Sequence, residues 1–582
     1  MRPSRLPLLT LLSLFLLVPA LSWGASPPAP LGTGGAVASA DPQATEAGLA
    51  MLREGGNAVD AAVATALALA VVYPEAGNLG GGGFAVIKKG EEIRTLDFRE
   101  VAPAAARRDL FLDEDGKVVP DASTIGPLAA GVPGSPAGLY ELHQKMGKLP
   151  WPRVVAPSIR LATDGFRVDR HLNRILGLPR IRRSLERFPE TRQVWYPGGE
   201  PLKRGALVRL PDLAETLRLY AEKGPEAITT GRVAATLEEA SRRHGGILTA
   251  ADLAAYRPVW REPLVFEAFG WKFATMPLPS SGGIILGQTL GILERLGWSQ
   301  LPRYGAERQH LLAETLRRSF ADRFLLGDPA TTQATPAQLL DPRWLDTRAA
   351  GIDRRRAAPS PSIRPWPGDE AKAATLPAEN AESPDTTHLS VIDRDGTVVA
   401  LTTTINDLFG CGLYVPGAGF FLNNEMDDFA ALPGRPNLFG LVQGEANAVA
   451  PGKKMLSSMS PTIAWRTAPE GWEAVALGGR GGSKIPTSTV QVLLNLVVDG
   501  DPLQAALDRP RLHHQWMPDR LEVESDTLAP ETRAELERRG HEILTNDTTA
   551  KVHAVRRRAD GRVEASSDPR GTGTGGIVQP ER

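Results

Sequence analysis

Two β-branched, apolar runs, His388–Ile392 and Thr397–Thr404, flank Asp393-Arg394-Asp395-Gly396 and predict a β-hairpin. A three-residue loop with Gly396 in the left-handed conformation would pair Asp393 with Thr397. That register, carried outward, sets Thr386 opposite Thr404, so two hydroxyls face each other. Upstream the pattern is helical. Asp41-Pro42 offers an N-cap and a first-turn proline for a helix running to Gly55-Gly56. Asn57 caps a second, Ala58–Val72, whose Ala and Val residues lie nearly all round it and predict burial on most sides. Leu79-Gly80-Gly81-Gly82-Gly83-Phe84 then enters the strand Ala85–Lys88, and Ile93–Phe98 forms another. A glycine run can cradle phosphate where it opens a helix. This one precedes a strand and lacks Gly-Lys-Ser/Thr, which favours close backbone packing. From Gly126 to Ser281 helical stretches alternate with Gly/Pro punctuation, and Ser280-Ser281 is expected to cap a helix over Ile284–Leu296. Residues 352–385 are rich in Pro, Ala, Arg and Glu, have little periodicity, and read as a mobile linker ending at Thr386. Later, the apolar Ala474–Leu477 and the helical Thr487–Val497 enclose Gly478-Gly479-Arg480-Gly481-Gly482-Ser483.

With 582 residues and 42% hydrophobic content the chain can bury a sizeable core in several domains. Its 66 basic and 67 acidic residues leave a net charge of -1, with no general attraction to nucleic acid or an anionic membrane. Residues 1–24 read as a secretory signal: Arg2 and Arg5, the apolar Leu8–Leu21, and Ser22-Trp23-Gly24 as a cleavage site. The single cysteine, Cys411, rules out an intrachain disulfide framework, and no lipid-attachment Cys follows the signal. A soluble exported protein without a membrane anchor is expected, with a bacterial periplasm the best fit.

A cut before Thr386 would place a hydroxyl nucleophile and a free α-amine on one residue. The amine, with an ordinary pKa of roughly 7.7–8.0, can act as a base near neutrality. His388, two residues on and on the same strand face, is a rival base. The carboxylates of Glu425, Asp427 and Asp428 repel one another unless solvent or a cation relieves them, and the ligand spacing of a calcium loop is missing. Arg99 in Asp97-Phe98-Arg99-Glu100 reads by itself as a surface ion pair with Glu100. By themselves Ser457 and Ser458 read equally well as donors to a carboxylate and as turn or capping residues, and Gly481-Gly482 as a tight turn. His513-His514 and Cys411 read as packed side chains, and no metal or cofactor is expected.

The segments TTHLSV, TTTIN, FG, NNEMDDF and SSMSPT, in that order, resemble the small-subunit signature of the γ-glutamyltranspeptidases (glutathione hydrolases), which are N-terminal-nucleophile hydrolases. DFRE, the glycine run and SDPR match further landmarks, over about residues 35–582. The resemblance implies an α+β fold, the four-layer αββα sandwich. It also implies autocatalytic cleavage between Asp385 and Thr386 into a large subunit, 25–385, and a small catalytic subunit, 386–582, held as a heterodimer. Thr386 would be the nucleophile, Thr404 its hydrogen-bond partner, and Gly481 and Gly482 the oxyanion donors. Arg99, Ser457 and Ser458 would hold the substrate α-carboxylate, and Asp428, with Glu425 and Asn406, its ammonium. Pro433–Ala446 would be a lid. Phe439 stands where several bacterial relatives carry a Tyr, removing one possible hydrogen bond to Asn406. The implied substrates are glutathione and other γ-glutamyl amides, with water or amino acid and peptide amines as acceptors. The rivals are an acylase for glutaryl-type amides and a catalytically inactive exported binding protein of the same fold.

Overall fold

The computed structural model describes residues 26–366, 386–525, 527–546 and 550–579. The expected signal segment, 1–24, and residues 367–385, Asp385 included, lie outside them.

Two seven-stranded sheets carry the fold, and every strand pairing within them is antiparallel. In the first, the order is Thr574–Ile577, Gly35–Ser39, Thr386–Asp393, Val398–Thr404, Gly82–Lys89, Glu92–Asp97 and Val259–Arg261. In the second it is Leu31–Gly32, Val563–Ser567, Lys551–Arg557, Gly471–Arg480, Thr462–Ala468, Trp271–Thr275 and Leu264–Ala268. Small apolar side chains fill the layer between them, among them Ala36, Ala38 and Ala400 from the first sheet and Ala274, Ala476 and Ala565 from the second. Such small residues let two sheets approach closely. Helix Ala58–Val72, buried at every position, covers the outer face of the first sheet. Helices Gly282–Arg295, Ala306–Arg323 and Lys484–Leu493 cover the second. The α+β, four-layer αββα sandwich expected from the resemblance is the observed architecture.

The hairpin forms in the expected register, Thr386 opposite Thr404. Gly396 has φ +84°, and Asp393 N–H donates to the Thr397 carbonyl at 3.0 Å. Asp393 Oδ1 accepts from the N–H groups of Asp395 (3.0 Å) and Thr397 (2.8 Å), while Oδ2 accepts from Ala58 N–H at 3.0 Å. One carboxylate thus closes the turn and caps the helix behind it. Strand alternation sends Leu389 and Val391 toward the helices and His388 toward the second sheet, where Gly478 leaves room for its ring. A Cβ at Gly478 would lie 2.6 Å from that ring. The glycine run is a close-approach device: a Cβ at Gly81 would meet the Thr404 carbonyl oxygen at 1.9 Å.

Three expectations need correcting. Residues 352–366, expected as the start of a mobile linker, are held on the body. Ala357 N–H bonds the Arg539 carbonyl (2.7 Å), Ser360 N–H bonds Asp519 (2.7 Å), and the Ser360 carbonyl accepts from the Trp516 indole at 2.8 Å. Backbone hydrogen bonds fix this segment without any hydrophobic period to announce it. The helix after Ser280-Ser281 starts at Gly282; Ser280 Oγ accepts from Gly282 N–H at 3.1 Å, as expected of a capping residue, but Ser281 makes no side-chain cap and its hydroxyl bonds the Ser457 carbonyl at 2.8 Å. The helix expected over Thr487–Val497 begins earlier, at Lys484, and passes at Leu494 into a π-helical turn through Val498.

Candidate active site

Thr386 opens its strand at the wall of a small cavity. The cavity is lined by Arg99, Thr386, Thr404, Asn406, Glu425, Asp428, Phe439, Ser457, Ser458, Met459, Gly482 and Ile485. Nine of the ten residues expected at the site therefore meet on one surface, and the tenth, Gly481, adjoins Gly482.

Hairpin register fixes the reacting end. Thr386 Oγ1 and Thr404 Oγ1 stand 3.2 Å apart. Asn406 N–H donates to Thr404 Oγ1 at 2.8 Å, which fixes that hydroxyl oxygen and leaves its proton free for donation to Thr386. Asn406 is held at φ +74°, a conformation Asn tolerates, and its amide donates to the Asn424 carbonyl at 3.0 Å. His388 is no base for Thr386. Its Nδ1 engages Thr402 Oγ1 (2.8 Å) and its Nε2 Ser390 Oγ (2.9 Å), and burial holds its pKa well below the ordinary value. Where the strand Gly471–Arg480 gives way to the helix Lys484–Leu493, Gly481 and Gly482 turn the chain at φ +139° and +55°. Their N–H groups meet no acceptor among the described residues. Arg480, just before them, bonds the Tyr73 hydroxyl and so ties this turn to the helix layer.

Long-range contacts build the recognising end. Arg99 is fully buried, not at the surface, and its guanidinium fork engages Glu425 through Nη1 and Asp428 through Nη2. Glu100, its expected partner, lies 3.7 Å from Nη1, and neither of its carboxyl oxygens has a hydrogen bond. Burial opposes the Arg99 charge, but Glu425, Asp428 and Glu100 outweigh it and hold the guanidinium above its ordinary pKa. Burial raises the carboxyls of Glu425 and Asp428 against the pull of Arg99, and pushes those of Glu100 and Asp427 up to about 7. The cation that the acidic run requires is Arg99. Ser457 Oγ accepts from Met459 N–H at 3.0 Å, whereas Ser458 Oγ is buried without a partner beside the cavity. An orphaned buried hydroxyl next to empty space suits a ligand acceptor.

Sequence reasoning missed the supports. Arg323, Gln443 and Asn447 stand behind Asp428, and Ser281 behind Ser457. Helix Ala306–Arg323 buries Arg308, Arg317, Arg318 and Arg323 at once, and nothing in its period marks one of them as belonging to the site. The Pro433–Ala446 segment is closed down. Asp427 Oδ2 accepts from Leu438 N–H (3.1 Å), the Phe439 carbonyl accepts from Gln515 (3.1 Å), and the Phe439 ring joins Ile285, Phe320 and Trp516 in an apolar cluster. Backbone bonds and apolar burial thus hold this segment without a hydroxyl at position 439. Cys411 is buried, its thiol pushed up to about 12, and burial lowers both His513 and His514 to about 4. All three are packed side chains, as expected.

Residues 44–578 match the sequence model of the family described as Gamma-glutamyltranspeptidase. The chain is 40% identical to the glutathione hydrolase proenzyme of Escherichia coli, over 92% of this chain and 90% of that one. It is 41% identical to the glutathione hydrolase proenzyme of Pseudomonas aeruginosa, over 94% and 95% respectively. Among solved structures, a cephalosporin acylase from Bacillus halodurans superposes with a TM-score of 0.82 at 25% identity, over 97% of this chain and 99% of that one.

Proposed function

The chain belongs to the γ-glutamyltranspeptidase family, and from that premise we propose that it cleaves glutathione and other γ-glutamyl amides through a γ-glutamyl ester on Thr386. The observation that carries this is the distribution of groups round one cavity. A paired hydroxyl nucleophile stands on one wall, and an arginine fork with two carboxylates stands on another. A γ-glutamyl donor is neutral and nucleophile-ready at its γ-carbonyl and zwitterionic at its α-carbon, so it needs both walls.

Maturation comes first. Thr386 Oγ1 attacks the Asp385 carbonyl, the acyl group moves from nitrogen to oxygen, and water hydrolyses the ester, leaving an Asp385 carboxylate and a free Thr386 α-amine. In turnover the Thr386 α-amine accepts the Oγ1 proton as the oxygen attacks the γ-carbonyl. Thr404 donates to Oγ1 and fixes its lone pairs, and the N–H groups of Gly481 and Gly482 receive the developing oxyanion. The C–N bond breaks as the α-ammonium returns the proton to the departing amine. Water or an acceptor amine then attacks the ester by the same path and frees Thr386. Arg99, with Ser457 and Ser458, takes the substrate α-carboxylate, and Asp428, with Glu425 and Asn406, takes the ammonium. The substrate head thereby replaces the Arg99–carboxylate pairing with two new charge-assisted pairs.

Two subunits, 25–385 and 386–582, joined as a heterodimer, an exported periplasmic location and amine acceptors complete the proposal. Among the described residues no helix is long and apolar enough to cross a membrane. An acylase for glutaryl-type amides is the rival, since the Bacillus halodurans neighbour is named a cephalosporin acylase. A glutaryl group has no α-ammonium, which would leave the Asp428 carboxylate without a purpose. Mass spectrometry of the purified protein, combined with initial rates on matched γ-glutamyl and glutaryl amides, tests both steps. A fragment beginning at Thr386 and a strong preference for the γ-glutamyl donor are expected. An intact active chain, or equal rates on the two donors, would overturn the reading.

A further inference from the structure

The last residue of helix Ala306–Arg323 is a buried arginine that the mechanism above does not use. Arg323 Nε donates to Ser281 Oγ at 3.1 Å and Nη1 donates to Gln443 Oε1 at 3.2 Å. Each acceptor is itself committed to the cavity. Ser281 Oγ spends its one proton on the Ser457 carbonyl at 2.8 Å, and Ser281 N–H bonds the same carbonyl at 2.8 Å. Gln443 Nε2 donates to the Asp428 carbonyl at 2.9 Å, and Asn447 Nδ2 reaches that carbonyl (2.7 Å) and Gln443 Oε1 (2.7 Å). With its oxygen held by Arg323, the Gln443 amide can present only its NH₂ to Asp428.

The guanidinium forms no ion pair among the described residues, although it is buried. Burial lowers its pKa to about 10, so it stays charged at neutral pH, and Gln443, which bonds both Arg323 and the Asp428 backbone carbonyl, holds that charge near the Asp428 carboxylate. Asp428 faces Arg99, Arg323, Glu425, Glu100 and Asp427. Three of those five are acids. Once a substrate carboxylate draws Arg99 away, Arg323 is the remaining fixed cation.

We propose that Arg323 is a positioning residue that holds the carboxylate-binding serines and the ammonium-binding aspartate in register, and keeps Asp428 ionised when the substrate takes Arg99. This rests on the assignment of Arg99 and Asp428 to the substrate head. It makes no contact with substrate, and its effect falls on binding and its pH dependence, not on the chemical step.

The test uses the matured full-length enzyme with Arg323→Gln and Arg323→Lys, and follows kcat and KM for a γ-glutamyl amide across pH. For Arg323→Gln the expected result is a KM raised about tenfold near neutrality with kcat within about threefold. The acidic limb of kcat/KM should move upward by about one pH unit, because removing a positive charge favours protonated Asp428. Arg323→Lys keeps the charge and should return the acidic limb toward that of the parent while KM stays raised, since an ammonium cannot hold both acceptors in one plane. Should Arg323→Gln fail to mature, Arg323→Lys alone decides. An unchanged KM there, or in Arg323→Gln an unchanged acidic limb or a fall confined to kcat, overturns the proposal. Asp428→Asn run in parallel separates the two levels. If it keeps the parental KM, the substrate-head assignment is what fails; if it loses affinity while Arg323→Gln does not, only the role of Arg323 fails.

Discussion

The two ends of one cavity are made in opposite ways. At the reacting end the nucleophile is placed locally: Thr386, Thr404 and Asn406 fall within 21 consecutive residues and are set by hairpin register and one backbone N–H, and only the Gly481-Gly482 turn is brought in from the other sheet. The recognising end is assembled from Arg99, Ser281, Arg323, Asp428, Gln443 and Ser457, which no single element supplies. It is also where buried charge is concentrated. A sheet positions a hydroxyl cheaply, whereas buried ions must be surrounded on every side by groups that answer them. Nucleophile position should therefore be robust and substrate affinity sensitive to distant side chains.

The largest effect is expected from Thr386→Ala, which should leave one uncut polypeptide and lower hydrolysis by at least about 10³-fold, as for loss of a catalytic nucleophile. Gel electrophoresis and rate measurement check it, and normal cutting would refute the assignment. Next comes Asp428→Ala. Removing one member of a buried charge pair costs about 2–5 kcal/mol, so kcat/KM for a γ-glutamyl amide should fall by roughly 10²-fold or more, mainly through KM. The same variant should change a glutaryl amide far less; equal losses on both would erase the distinction between the two ends. Gly482→Ala probes the boundary. At φ +55° a side chain strains the turn and re-aims its N–H, so kcat should drop by about tenfold or more with KM nearly constant. A change confined to KM would place Gly482 in recognition instead.

Smaller effects concern stability. The carboxyl of Glu100 stands at about 7 in the folded protein against an ordinary 4.5, raised by burial. The folded state therefore binds more protons than the unfolded chain across that interval. This group's contribution is complete below the ordinary value and is lost as pH rises through about 7, by at most about 1.4 kcal/mol per pH unit. Asp427, also raised to about 7, adds to the same slope. Thermal melting of Glu100→Gln between about pH 5 and pH 8 should decline less steeply than that of the parent; identical slopes would dismiss the buried proton. The smallest change is expected for Phe439→Tyr, under about threefold in kcat/KM, because the ring already sits in an apolar cluster and the lid is fixed through backbone atoms. A gain beyond that would show that the absent hydroxyl had been limiting closure.

The nucleophile pair was legible in the sequence for the reason that makes it local, whereas the Gly481-Gly482 turn took on its oxyanion role only through the resemblance. Alternation gave both strands, Gly396 the loop, and the loop the pairing of Thr386 with Thr404. The caps at Asp41 and Asn57 were readable because their partners lie two or three residues away. The recognising end was legible only through family resemblance. From its neighbours alone Arg99 read as a surface pair with Glu100, and its real partners stand 326 and 329 positions along the chain. Arg323 and Gln443 carried no signal at all, since a charged residue on a helix ordinarily predicts a solvated face. Residues 352–366 misled in the other direction: low periodicity suggested slack where backbone bonds hold the chain down.

The strand order bears on the proposed cut before Thr386. In the first sheet Gly35–Ser39 is hydrogen-bonded between Thr574–Ile577 and Thr386–Asp393, and Val398–Thr404 pairs with Gly82–Lys89; in the second, Thr462–Ala468 pairs with Trp271–Thr275. Segments from either side of residue 385 are woven together in both layers. Opening the backbone there releases an end without releasing a fragment, because parting the products would tear ladders in two sheets at once. After the proposed cut, the same interleaved ladders would be what holds the two products together as one body.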